Sequence, residues 1–227
     1  MPSRSALRFR VDPAFALGFS AMLLSVTAFV LFSRSPRPPS APSDPPIALF
    51  AEFDSLGLNR FRGAYDAPDT LTEITDFLCA ACARADERNG GIVDSLVISG
   101  RLHHRVFKLP VQAGALQVSA FASCVWESDH EDYWRLRPVL FEAQRAILAA
   151  YPIDAELLRL AEMTDVDSAG IGACYRRDRA KLTSRFSRSI ETAYAAGIPF
   201  TPVFWLNQRL LTAPELSDAL LQMTERP

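Results

Sequence analysis

No block of basic residues stands out in this chain. Its 24 lysines and arginines are offset by 26 acidic residues, for a net charge of −2. That balance argues against a nucleic-acid partner. Cysteine is scarce too: four in 227 residues cannot frame a disulfide-dense mini-scaffold. Two of them form one C-x-x-C, at Cys79 and Cys82. No second C-x-x-C and no paired-histidine motif accompanies it, so zinc lacks a ligand set. No internal repeat is found. Charge is missing altogether between Asp12 and Arg34, and this last gap turns the reading from what is absent to what is present.

The uncharged stretch contains "PAFALGFSAMLLSVTAFVLF", residues 13–32. Twenty helical residues span roughly 30 Å, the thickness of a bilayer core. Arg4, Arg8 and Arg10 precede it, a modest bias toward an inner N-terminus. The run is long for a signal peptide, and "VLFSRS" offers a poor cleavage site, so an uncleaved anchor over 13–33 is expected behind a cytoplasmic tail, 1–12. Either way the remainder is exported, to a compartment where cysteines pair or exchange. Six prolines in "SRSPRPPSAPSDPP", 33–46, exclude helix and central strand. The segment 34–46 reads as a spacer holding a single domain, 47–227, off the membrane. After the first forty or so residues, about 180 remain, enough for one sizeable core.

Within that domain Leu71–Phe77 reads as a buried strand leading into Cys79. A helix follows from Ala80, and Gly90-Gly91 should kink or break it. Leu102–Leu109 reads as a second core strand. From Gln112 to about Tyr194 the pattern is helical, with Pro138 marking a helix start or a kink. Asp154–Met163 and Arg176–Tyr194 are two of the helices expected there. Strand signals return at Pro202–Leu206, "NQRLL" turns into a last strand, and Thr212 and Glu215 have the spacing of a capping box. A helix linking two parallel strands needs a right-handed crossover. The layout predicted is an α/β, thioredoxin-like sheet with a helical insertion over about 112–175, preceded by one transmembrane helix.

Two thiols one helical turn apart can grip a metal, brace a fold or exchange electrons. Cys79 falls at a strand-to-helix junction. Free backbone N–H groups at a helix start favour the thiolate, so Cys79 is the expected nucleophile and the deeper Cys82 the resolving thiol. His103 and His104 adjoin in a strand, point to opposite faces and read as ordinary strand residues. Asp76 is expected in solvent at the strand end.

"GAYDAPDTLTEITDFLCAAC" (63–82), "VFKLPV" (106–111), "ASCVWESDHEDYWRLRPVLFEA" (122–143), "IGACYRRD" (171–178) and "AAGIPFTPVFWLNQRLL" (195–211) together resemble the DsbA-like thiol-disulfide oxidoreductases. The resemblance covers about 63–221. It implies exchange of a Cys79–Cys82 disulfide with the thiols of protein substrates, without metal or organic cofactor. It also implies a membrane partner that resets the pair. Glu73, six residues before Cys79, matches an acidic position beneath the family's active site. A buried carboxylate there has a raised pKa and can take the resolving thiol's proton. Thr201-Pro202 matches the family's cis-proline loop, which pairs with extended substrate. Cys124 and Cys174 match segments that some members join by a structural disulfide. Two departures matter. Ala80-Ala81 stands where strongly oxidising members carry proline and histidine, and Pro199-Phe200 stands where smaller residues are common. An oxidase at the bacterial cytoplasmic membrane, facing the extracytoplasmic side, is favoured over a reductase or isomerase. The alternative is a thioredoxin-like chaperone or assembly factor whose groove holds extended chains.

Overall fold

Leu71 to Thr75 are five consecutive buried residues, a pattern that only a strand covered on both faces sustains. In the computed structural model this strand is the centre of a five-stranded mixed sheet. The structure describes residue 44 and residues 46–225. The apolar run 13–33 and nearly all of the proline-rich spacer therefore lie outside the described residues. No described helix is long and apolar enough to cross a membrane.

The elements are α1 (Ile47–Ser55), β1 (Asn59–Arg62), β2 (Asp69–Thr75), α2 (Ala80–Ile98), β3 (Leu102–Lys108), α3 (Ala115–Ser128), α4 (His130–Glu142), α5 (Gln144–Ala149), α6 (Ile153–Met163), α7 (Ser168–Ala195), β4 (Val203–Leu206), β5 (Arg209–Leu211) and α8 (Ala213–Thr224). The strands lie in the order β1-β3-β2-β4-β5. Only β2 and β3 run parallel, with Glu73 opposite Val106 and Thr75 opposite Lys108; the other three pairings are antiparallel. The crossover between β2 and β3 is α2.

Helices cover both faces. On one side α1 and α7 pack Phe53 and Phe186 against Ile74, Phe107 and Trp205, with Phe50 stacked on Phe107 at 5.0 Å between ring centroids. On the other, α2 and α8 pack Val93, Leu96, Leu216 and Leu220 against Leu71, Leu102 and Phe204. The inserted helices carry a third core, built on Phe121, Leu140, Leu157 and Tyr175, which continues into Cys82. Insertion and active-site helix therefore share one apolar cluster.

The final hairpin and helix follow the sequence signals. Asn207 and Gln208 take positive φ, as a two-residue hairpin turn requires. Both halves of the Thr212–Glu215 capping box are formed. Three expectations need correction. Gly90-Gly91 does not break α2, which runs unbroken to Ile98 with Cys82, Ala85, Asn89, Val93 and Leu96 buried along one stripe. Glycine costs about 1 kcal/mol per residue in a helix, and the packing of that stripe outweighs it. Pro138 does not start a helix: α4 begins eight residues earlier, where Asp129 accepts from the amides of Glu131 and Asp132. The last inserted helix starts at Ser168, capped by Asp167, so 175 is no boundary: Cys174 sits inside α7, which returns as one piece to the sheet. The elements α1 and β1 are additions to the expected order. Each is short, and each is held by its contact with β3 or Trp205 rather than by a strong pattern of its own.

Candidate active site

The turn from β2 into α2 is tied by one side chain. Asp76 is fully buried, not in solvent as its position at a strand end suggests. Its carboxylate accepts from the amides of Leu78 (2.8 Å), Val111 and Gln112 (2.9 Å each), knotting the β2–α2 turn to the loop after β3. Burial raises its pKa, with those amides opposing. From the insertion, the Gln144 side chain donates to the carbonyls of Phe77 (2.8 Å) and Cys79 (3.0 Å). Together these contacts fix the backbone on both sides of Cys79.

Cys79 is the N-cap residue of α2, with extended φ and ψ. Its Sγ lies 3.4 Å from the carbonyl oxygen of Thr201. The Thr201–Pro202 peptide bond is cis. Cys82 sits one turn into the helix and is nearly inaccessible. Both are free thiols, and their acidities are driven apart. Hydrogen bonding from the Cys82 thiol lowers Cys79 to about 5 against the opposing effect of burial, aided by the amides of Cys82 and Ala81. Burial, then the neighbouring Cys79, pushes Cys82 far above the usual thiol range. Thus the alanines at 80 and 81 do not prevent a low Cys79 pKa, because the donors are backbone amides and the second cysteine. One sulfur is an ionised nucleophile at neutral pH and the other a protonated thiol in reserve.

Glu73, on β2 six residues before Cys79, is buried as expected, but its acidity runs the other way. Arg137 Nη2 donates to both carboxylate oxygens at 2.9 Å, and Nε2 of His104 lies 3.1 Å from Oε2. Arg137 also contacts Asp86. Burial raises the Glu73 pKa, yet Arg137, His104 and Lys108 together outweigh it and hold the carboxyl well below the usual carboxylate range. A carboxylate so matched stays ionised and does not take a thiol's proton at neutral pH. His104 is thus more than an ordinary strand residue. Burial lowers it to about 4 despite Glu73, so it is a neutral hydrogen-bond partner. His103, on the opposite face, stacks near Tyr65 and lies 3.4 Å from the Gly63 carbonyl.

The other two cysteines are bonded to each other. Cys124 in α3 and Cys174 in α7 have Cα atoms 5.8 Å apart. Among the described residues one cluster brings three metal-type ligands together, Glu127, Cys174 and Asp178, and the Cys174 sulfur there is already spent in the disulfide. Arg137, Gln144 and His104 escaped the sequence reading as site residues. Arg137 and Gln144 come from the insertion, 64 and 65 residues from the groups they bind, and nothing local marks them.

Among solved structures, BdbD from Bacillus subtilis is similar at a TM-score of 0.62 and 17% identity, covering 82% of this chain and 99% of that one. DsbA of Chlamydia trachomatis aligns at 0.60 and 18%, covering 72% and 90%. MdbA, a thiol-disulfide oxidoreductase from Corynebacterium diphtheriae, aligns at 0.56 and 18%, covering 70% and 85%. At these identities the likeness is one of fold. No curated protein sequence matches the chain. The family model described as thioredoxin matches residues 56–225, the whole sheet and its insertion with the C-x-x-C at the start of α2, and the chain belongs to that family.

Proposed function

We propose that the chain is an extracytoplasmic thiol-disulfide oxidoreductase that exchanges a Cys79–Cys82 disulfide with protein thiols, chiefly as an oxidase. The observation that carries this is the placement of the two thiols: Cys79 caps α2 with its Sγ 3.4 Å from the Thr201 carbonyl of the cis Thr201–Pro202 loop, and Cys82 is buried one turn on, which drives Cys79 down to about 5 and Cys82 up. A client thiolate attacks Cys79 Sγ, the Cys79–Cys82 bond breaks, and Cys82 leaves with the electron pair and takes a proton. A second client thiolate then attacks the client sulfur of the mixed disulfide and Cys79 leaves as thiolate. The client loses two electrons and the pair gains them. A leaving group of low pKa departs readily, which supports the oxidative direction. The Thr201 carbonyl beside Cys79 offers an extended client a backbone acceptor, in the manner of strand addition.

Turnover then needs a membrane redox partner to re-oxidise the pair. Residues 13–33 anchor the domain at the bacterial cytoplasmic membrane in this reading, and the Cys124–Cys174 bond supports an oxidising, extracytoplasmic setting. Retention of the full-length protein in membranes after alkaline washing tests the anchor. The reduction potential tests the direction: near about −120 mV the protein is an oxidase, near about −270 mV a reductase. Refolding of a reduced client tests the chemistry itself. Assistance that survives Cys79→Ala overturns exchange and leaves a polypeptide-binding module.

A further inference from the structure

A groove runs between α2 and the strands β4 and β5. Ala81, Arg84 and Arg88 of α2 form one wall, and Pro202, Phe204 and Leu211 face them. Phe204 and Leu211 lie opposite each other on β4 and β5 and make an apolar floor, both nearly covered. Ala81 belongs to the C-x-x-C, and Pro202 follows the Thr201 carbonyl that meets Cys79 Sγ at 3.4 Å. The groove is therefore continuous with the site. Arg84 and Arg88 are exposed along it. Among the described residues neither takes part in an ion pair.

Four residues apart on one helix, the two guanidinium groups share a face, and like charges at that spacing repel each other. The acidic residues around them are committed elsewhere. Asp86 of α2 is paired with Arg137. Glu215 of α8 is held by Thr212 in the capping box. Glu87 lines the cleft between α2 and α4, which Arg84 also borders, and forms no pair with it. The fold thus leaves two positive charges unmatched at the rim of an apolar floor. A chain laid on that floor excludes water, and the attraction between opposite charges strengthens as the local dielectric falls.

We propose that this groove selects clients whose extended segment carries acidic side chains two and four residues from the reacting cysteine, and that Arg84 and Arg88 are the residues that read them. This inference rests on the exchange reading given above and names a substrate class within it. Helical rise supplies the register: at ~1.5 Å per residue, Arg84 lies about 7.5 Å and Arg88 about 13.5 Å beyond Cys79 along the axis of α2. An extended chain rises ~3.3 Å per residue, so its second and fourth residues from the cysteine reach roughly 6.6 and 13 Å, on the face that presents the sulfur. The Thr201 carbonyl holds the client backbone, and each guanidinium meets a carboxylate in the two-pronged geometry that suits arginine. A segment with lysine at those places meets like charge and is rejected.

The test uses oxidised full-length protein and synthetic two-cysteine peptides. One set carries Glu, Gln or Lys at both the second and the fourth residue after the first cysteine; a mirrored set carries them before it. Loss of peptide thiols gives the rate. Each rate is divided by that of the same peptide with bis(2-hydroxyethyl) disulfide, an uncharged oxidant, which removes the effect of neighbouring charge on the thiol's own acidity. In one of the two sets the glutamate peptide should react about fivefold faster than the lysine peptide or more at low salt. The ratio should collapse at ~1 M salt, where the screening length is about 3 Å. Arg84→Gln/Arg88→Gln should bring the ratio close to one, and Arg84→Glu/Arg88→Glu should invert it; a general loss of rate cancels in the ratio. Equal normalised rates for glutamate and lysine peptides in both sets overturn the inference alone and leave the groove to something other than clients. A preference that survives Arg84→Gln/Arg88→Gln belongs to other residues and overturns it too. A wild type that oxidises none of the peptides overturns the exchange reading and this inference with it.

Discussion

Arg137 and Glu73 are 64 residues apart in sequence and joined by two hydrogen bonds of 2.9 Å, both buried. The pair pins the insertion to the central strand that leads into Cys79. It also decides the charge state there, because a carboxylate so held keeps its negative charge at any physiological pH.

Removing one partner strands the other. Glu73→Gln or Arg137→Met should each cost about 3–5 kcal/mol, the penalty for a buried charge left uncompensated. The double variant should cost much less than the sum. Urea unfolding of the four proteins, read as a double-mutant cycle, measures the coupling; additive losses would show that the pair is not a unit.

Alkylation of the reduced protein should modify Cys79 with a midpoint near pH 5 and leave Cys82 unmodified through neutral pH. The sign for stability follows. The folded pKa of Cys79 lies below the unfolded thiol value of ~8.5, so ionisation stabilises the reduced fold increasingly from about pH 5 up to the unfolded value. That stabilisation is lost as pH falls through about 5. Reduced wild type compared with reduced Cys79→Ala should show a stability difference that grows over that window. A flat difference would mean that the thiolate is not favoured in the fold.

Lys108 has the same sign and a different meaning. Its folded pKa of about 7 lies below the unfolded value of ~10.4, so the unfolded chain takes up a proton first as pH falls. The buried amine lowers stability progressively between those values. Lys108→Met, of similar length and without the amine, should raise neutral-pH stability by about 1–4 kcal/mol. Thermal unfolding at pH 7 and pH 10 checks this, with the gain larger at pH 7.

Gln144→Ala should leave two carbonyls, those of Phe77 and Cys79, without their side-chain donor. A loss of about 1–3 kcal/mol is expected. Hydrogen exchange should quicken at the start of α2 while α8, on the far side of that helix, keeps its protection.

The Cys124–Cys174 bond closes a separation of 50 residues, for which chain entropy gives roughly 4 kcal/mol of stabilisation. Cys124→Ala/Cys174→Ala should lower the unfolding midpoint accordingly. Alkylation of Cys79 should keep its midpoint, since neither residue touches it.

Much of the fold was legible because its signals are local. The strand before Cys79, the turn at Asn207-Gln208 and the box at Thr212 and Glu215 are each written within a few residues. The site was legible at Cys79, Cys82, Thr201 and Pro202 for the same reason, since motif and spacing name them. What escaped depends on distance. The pKa of Glu73 was misjudged because burial was visible in the sequence and its arginine was not. Asp76 looked like a surface turn residue because its acceptors' partners, Val111 and Gln112, arrive only after β3. Gly90-Gly91 misled because propensity is weak beside the burial of Cys82, Ala85 and Val93, which tertiary packing alone supplies.

The bond between α3 and α7 gives the protein a second relation to its own chemistry. Cys124 and Cys174 leave synthesis as thiols, alongside Cys79 and Cys82, and four cysteines can pair in three ways. Only one pairing leaves the C-x-x-C intact as a working couple. A newly made copy therefore needs a correctly placed disulfide of its own before the pair at Cys79 and Cys82 is left free to exchange. Its maturation is an oxidation event, answerable to the same thiol traffic that the finished protein would serve.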